Sequence, residues 1–332
     1  MTKRDAVHEA GQRALCFLPM NLARTLLLLS LLVPLRPALA CVWDTDTLKE
    51  ESLGLAAVAD TVQGKFFKHS RVFYERKVLY TEPMLKQEKV SPERYDDLAV
   101  AYDKLGRTQE AIAIMEAKEK RFPGLYTTAA NLGTFHAHAG DFTRALELLS
   151  KGLKLNPNAH FGREKYQVKA IEYLQRLAKD PELVRKEELL GLRLDPEQAS
   201  FVMNEKERAQ NPNLPSVPKD ATVALAGIIR FGSGDKSQHV WFSLGTALAW
   251  QGHKNLAIRA LRRAELLGHP LAQEHAEALL NIIDEYSDYP GWAKVSAELD
   301  AEFEKGQAWV REKQRKEEAL IEKGRLEQAF GY

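Results

Sequence analysis

"YDDLAVAYDKLGRTQEAIAIMEAKEKRFPG", Tyr95 to Gly124, and "AANLGTFHAHAGDFTRALELLSKGLKLNPN", Ala129 to Asn158, decide how this chain folds. Laid over one another they place Leu98 on Leu132, Gly106 on Gly140, Ala111 on Ala145 and Pro123 on Pro157, every pair 34 residues apart. A fixed period of that length marks stacked helical hairpins. Leu98 and Leu132 take the inner face of a first helix, with Tyr102 and His136 one turn further on, at helical spacing. Gly133, or Ala99 in the first copy, has little or no side chain, so a second helix can approach closely. Gly106 and Gly140 end the first helix in a left-handed turn that glycine adopts without steric cost. Ala111 and Ala145 keep the facing helix slim, and Met115 and Leu149 fill the space beyond it. Pro123 and Pro157 close each unit, because a helix does not run easily through them.

A third copy follows downstream, "WFSLGTALAWQGHKNLAIRALRRAELLGHP", Trp241 to Pro270, with Trp241, Leu244, Gly245, Gly252, Ala257, Leu261 and Ala264 on the same pattern. The three copies resemble the tetratricopeptide repeat, W-x2-L-G-x2-Y, then A-x3-F, then P. Leu248 departs from it where Tyr is usual, and Pro270 comes one residue late. The register breaks between the second and third copies at "AQNPNLPSVPKD", Ala209 to Asp220, whose prolines and lack of apolar period read as a linker or surface loop. "FGREKYQVKAIEYLQRLAKD" (Phe161 to Asp180) and "LAQEHAEALLNIIDEY" (Leu271 to Tyr286) have the period of further helices. The expected fold is all-α: an α-α superhelix of tetratricopeptide-like hairpins with flanking helices and an irregular Pro-rich insert. Its parts are a signal segment (1–40), an N-terminal helical segment (41–90), repeats (91–180), the insert (181–220), C-terminal hairpins (221–290) and a charged C-terminal helix (291–332). That last helix either caps the apolar end of the stack, as solenoid ends require, or mediates self-association.

At the N-terminus Lys3, Arg4, Arg13 and Arg24 precede the apolar run "TLLLLSLLVPL" (Thr25 to Leu35) and then Ala38-Leu39-Ala40. A basic region, a short apolar core and an A-x-A ending make a secretory signal, with Met20 as an alternative start; the core is too short to span a bilayer. Cys16 lies inside that signal, which leaves Cys41 without an intramolecular partner and excludes a disulfide within one mature chain. Three readings of Cys41 stay open. It is acylated, because its position resembles the bacterial lipoprotein arrangement; it is a free or buried thiol; or it forms an intermolecular disulfide. The expected location is the periplasm or cell envelope, with membrane attachment through Cys41 in the first case. Removing residues 1–40 takes away Lys3, Arg4, Arg13, Arg24 and Arg36 with Asp5 and Glu9, so 47 basic and 46 acidic residues become 42 and 44. A net charge of −2 argues against a nucleic-acid binder.

Few local patterns point to chemistry. "RFGSGDKSQH" (Arg230 to His239) fails the phosphate-loop pattern, because Arg230 and Asp235 stand where glycines belong; a turn with Ser237 capping the next helix is expected. His136 and His138 form H-x-H, but helix residues two apart point in different directions, and His136 is expected to be a satisfied core histidine. "WDTDT" (Trp43 to Thr47) lacks the spacing of a calcium loop and reads as helix capping. "GKFFKHSRVFYERK" (Gly64 to Lys77) interleaves basic and aromatic residues; the expectation is that the aromatics enter the core while Lys and Arg stay in water, rather than that the segment binds nucleic acid or anionic lipid. No catalytic, metal or cofactor site is expected.

The resemblance implies a concave groove lined by the first helices, and a protein that binds peptides or other proteins there. By resemblance the groove positions are Glu93, Asp96, Val100, Asp103 and Lys104 in the first copy, and Thr127, Ala130, Asn131, Thr134, Ala137 and His138 in the second. Asn131 matches one place in the family's carboxylate clamp, but Asp96 and Val100 stand where its Lys and Asn belong, so that clamp is not expected. With Glu93, Asp96 and Asp103 lining it, the groove should prefer a partner of basic or mixed charge. Phe242 and Trp250 lie eight residues apart on one helical face and are either partner anchors or covered by the C-terminal helix. The leading expectation is an exported interaction scaffold. The alternative is an enzyme, or an enzyme subunit, with a site built around the 181–220 insert.

Overall fold

A computed structural model describes residues 58–158, 162–192, 194, 217–283 and 291–330, all within the unit spanning Pro37–Tyr332. The signal segment, Cys41, "WDTDT" and most of the Pro-rich insert lie outside the described residues. Those that are described form 13 α-helices, and no strand among them exceeds an isolated bridge.

Two short elements come first, α1 (Val58–Val62) and α2 (Arg71–Thr81). The repeats follow as α3 (Pro92–Lys104) on α4 (Thr108–Arg121), α5 (Tyr126–His138) on α6 (Phe142–Leu155), and α7 (Glu164–Leu177). After the insert come α8 (Ala221–Phe231), the hairpin of α9 (Gln238–Trp250) on α10 (Lys254–Leu266), α11 (Ala272–Ile283), α12 (Trp292–Glu322) and α13 (Leu326–Phe330). The repeat residues do what their chemistry dictates. Gly106, Gly140 and Gly252 end α3, α5 and α9 at φ values of 80°, 84° and 88°. Gly133 and Gly245 have no room for a side chain: a Cβ at either would stand 2.6 Å from the Cγ of Leu149 or Leu261 on the paired helix. Leu98, Ala111, Met115, Ala145, Leu149 and Ala257 are fully buried between the helices they were expected to join. His136 departs from expectation. Its side chain is partly exposed and pairs with Asp141 at 3.5 Å, while Phe135 turns into the core instead.

The C-terminal helix does more than cap the last hairpin. α12 lies against α10 through Arg262–Asp300 and Arg259–Glu302 ion pairs of 2.7 and 2.9 Å, and it also reaches back to α2. Between these contacts it holds the extended strap 63–70. Gly306 admits the strap's backbone, since a Cβ there would come within 2.1 Å of the Gln63 carbonyl oxygen. Gln307 donates to the Gly64 carbonyl at 2.7 Å and Gln314 to the Lys68 carbonyl at 2.8 Å. Glu317 accepts from the Ser70 N–H at 3.2 Å and pairs with His69. Phe66 of the strap packs on both Trp241 and Phe303, with ring centroids 6.4 Å away in each case. Of the aromatics of 64–77, Phe66 and Phe73 enter the core as expected, while Phe67 and Tyr74 are half-buried. Lys77 contradicts the expectation for the basic residues, because it is buried with Asp97 at 3.5 Å.

Candidate functional site

The positions expected to line an open groove instead join one first helix to the next. Asp96 on α3 accepts from Lys118 Nζ at 2.5 Å and from Asn131 Nδ2 on α5 at 2.9 Å. Lys118 also donates to the Thr127 hydroxyl at 2.9 Å. Asp103 lies 2.9 Å from His138 Nδ1 through both carboxylate oxygens, and it accepts from the Thr108 hydroxyl at 3.1 Å. Gln167 on α7 donates to Thr134 on α5 at 2.8 Å. The three contacts that join successive first helices span 35, 35 and 33 residues, which is close to one repeat length and sets them side by side as rungs.

Asp96 and Asp103 therefore are not free carboxylates in a groove; they are 3% and 8% exposed. The physical reason is desolvation: an acid on a face flanked by the next repeat is stable when it is paired and hydrogen-bonded. Burial pushes the Asp96 carboxyl up, against the opposing pull of Lys118 and Asn131. At Asp103 burial acts the same way but is outweighed by His138, Lys104 and Thr108, which hold it below its usual range. Val100, Asn131 and Thr134 are buried as well, whereas Glu93, Lys104, Thr127 and His138 stay partly open. The glycine-rich turn after α8 reaches this face. The Gly232 carbonyl accepts from Lys104 at 3.2 Å and Lys68 at 3.4 Å, and Asp235 pairs with Lys68 at 2.5 Å. Ser237 caps α9 as expected, accepting from the Val240 N–H at 3.3 Å.

In the third hairpin Phe242 is fully buried. It stacks on His269 with centroids 3.8 Å apart and on His275 at 5.1 Å, both supplied by the turn into α11 and by α11 itself. Trp250 remains partly open at the end of α9. Burial lowers His239 and His275 to about 4; burial and the two neighbouring histidines lower His269 to about 2. These imidazoles are neutral aromatic plates at physiological pH. No group of three or more His, Cys, Asp or Glu side chains among the described residues is arranged to hold a metal ion.

Glu188, in the described part of the insert, is buried. It accepts from the Leu192 N–H at 3.0 Å and hydrogen-bonds Ser243 on α9, whose hydroxyl also receives the Leu189 N–H at 3.2 Å. Burial raises its carboxyl to about 7, against those hydrogen bonds. Sequence reasoning passed over Glu188, Lys118, Gln167, His269 and His275.

Residues 92–117 match the family model described as Tetratricopeptide repeat. That stretch covers α3 and most of α4, one hairpin of the stack. Among solved structures, the chain titled "MamA RS-1 ArsTM double mutant" is similar at 15% identity, covering 65% of this chain and 94% of its own length with a TM-score of 0.28. No curated protein matches the sequence.

Proposed function

We propose that this protein is an exported interaction scaffold of the periplasm or cell envelope, which binds segments of other proteins and carries out no chemistry of its own. The observation that carries this reading is the register of the hairpins, with α3–α4 matching the tetratricopeptide repeat, whose members bind proteins or peptides. The basic start, apolar run and A-x-A of residues 1–40 support export, and acylation of Cys41 would supply membrane attachment. The charge of −2 left after residue 40 favours a protein partner over nucleic acid. Preference for a basic or mixed segment now leans on Glu93, because Asp96 is buried against Lys118 and Asp103 is buried in hydrogen bonds with His138 and Thr108. The test is in-cell cross-linking, purification of the tagged protein and identification of what accompanies it, repeated with Glu93→Lys and with Trp250→Ala. A stoichiometric partner lost on either substitution, at unchanged helicity, supports the scaffold. Recovery of the protein alone defeats it.

A second reading has one observation in its favour. A carboxyl raised to about 7, as Glu188 is, suits general acid or base work, and it lies in the 181–220 insert. Its hydrogen bonds to Leu192 and Ser243 also explain it as the anchor that seats the insert on α9. Turnover of any substrate that disappears in Glu188→Gln while the melting temperature holds would move the function to this site.

A further inference from the structure

The strap and the C-terminal helix enclose a cavity of about 690 Å³ that belongs to none of the repeats. Trp309, Lys313, Lys316 and Leu320 form one wall, spaced four, seven and eleven residues along α12 and so on a single helical face. Lys65 and Phe67 of the strap and Arg230 at the end of α8 line it as well. Four cations thus meet here, one of them, Lys316, paired with Glu312 on its own helix at 2.5 Å. Of the two carboxylates, Glu317 is occupied by His69 and the Ser70 N–H, which leaves Asp60. Trp309 is 43% exposed, an uncommon state for so large an apolar side chain, and Lys313 lies 5.3 Å above its ring.

We propose that this cavity takes a short acidic segment of a partner protein, with carboxylates on the lysines and Arg230 and an apolar side chain against Trp309, Phe67 and Leu320. The volume falls in the range of ligand pockets, and the pairing of a ring of cations with an aromatic wall selects an anion that also has an apolar part. A concave site fits a peptide side chain better than a flat lipid surface. The inference rests on the scaffold reading and adds a second contact point to it, of opposite charge preference to Glu93. Because the strap is clamped by α12, the site is preorganised, which lowers the ordering cost of binding.

The probe is a fluorescein-labelled peptide of alternating glutamate and leucine, with alternating lysine and leucine as the charge-reversed control, read by anisotropy on the full chain. The glutamate peptide should bind and the lysine peptide should not. Lys65→Glu with Lys313→Glu should weaken binding about tenfold or more, and both positions are exposed, so folding is not at stake. Trp309→Ala should weaken it about fivefold at unchanged salt dependence. Equal binding by the double variant, or no binding of the glutamate peptide, overturns the proposal. So does binding to phosphatidylglycerol vesicles in place of the peptide, which would make the site a lipid contact. If the cross-linked partner is still captured by the Lys65→Glu, Lys313→Glu protein, the cavity reading fails while the scaffold reading stands.

Discussion

Asp96 and Phe242 occupy the same place in two hairpins: Gly106 and Gly252 are 146 residues apart, and so are these two. The first hairpin fills the place with an acid that is paired with Lys118 and accepts from Asn131; the third fills it with a ring stacked on His269 and His275. Both side chains are shielded from water. The backbone around them is alike, which teaches that the glycines, alanines and prolines of the repeat set the hairpin while its inner positions are free to be polar or apolar. What they are not free to be is unpartnered. An acid here needs a cation and an amide, and an aromatic ring needs other rings.

The comparison breaks most sharply under truncation. Asp96→Ala leaves the Lys118 ammonium buried without its carboxylate and should cost about 3–5 kcal/mol. Phe242→Ala, by opening a cavity, should cost a similar amount of about 3–5 kcal/mol. The two differ in rescue. Asp96→Leu combined with Lys118→Met should recover most of the loss, because an apolar pair of similar volume replaces two desolvated charges. No second change beside Phe242→Ala restores the missing stacking area. Urea unfolding of these three variants and the parent protein decides this, and an unrescued double variant would mean that the hydrogen bond from Asn131 to Asp96 matters more than the ion pair.

A second contrast lies one residue on. Asp97 of α3 has cations at hand, Lys77 at 3.5 Å and Arg94 at 3.7 Å, whereas its counterpart Ser243 on α9 faces Glu188, whose shift has no cation among its causes. Burial raises Glu188 from 4.5 to about 7, so the folded protein holds a proton that the unfolded chain has released. Its contribution to stability is complete below about pH 4.5 and declines as pH rises through about 7, by up to about 3 kcal/mol. Glu188→Gln should flatten that decline. Denaturation at a series of pH values tests it, and identical profiles for the two proteins would dismiss Glu188 as the titrating group.

How much of this was legible in the sequence follows from how local each cause is. Gly106, Gly133, Ala111 and Ser237 act on atoms within their own hairpin, so spacing alone revealed their roles. The positions expected to line a groove do lie on the first helices, but their environment was not legible, because Asp96 meets Lys118 and Asn131 only once α3, α4 and α5 are packed. The strap was harder still. "GKFFKHS" has no helical period, and the partners that hold it, Gln307, Gln314 and Glu317, come more than two hundred residues later. The cavity it shares with Trp309 and Lys313 has no sequence signature for the same reason.

The close approach of paired helices gives a smaller effect that sharpens the comparison. Ala99 with Met115, Gly133 with Leu149 and Gly245 with Leu261 occupy matching places in the three hairpins. Where the small residue is glycine its partner is the γ-branched leucine; where it is alanine the partner is flexible methionine. A Cβ at Gly245 would stand 2.6 Å from Leu261 Cγ, so Gly245→Ala should cost about 1–3 kcal/mol. Gly245→Ala with Leu261→Met rebuilds the first hairpin's solution and should recover at least half of it, measured as a shift in urea midpoint. A double variant no better than the single would show that the three pairs are not interchangeable.

The smallest effect separates two serines. Ser91 and Ser237 precede α3 and α9 at equivalent positions, yet only Ser237 caps its helix, through the Val240 N–H. In α3 the following residue is Pro92, whose missing N–H is no loss at a first helical position and whose fixed φ already suits the helix. The proline thus does part of what the hydroxyl does elsewhere. Ser237→Ala should cost about 1 kcal/mol, and Ser91→Ala only a few tenths. The difference between them contains the cap together with a burial contribution, since Ser237 is buried and Ser91 exposed. Equal losses at the two sites would mean that Ser91 caps α3 in solution after all, and that Pro92 adds to the cap where it was expected to replace it.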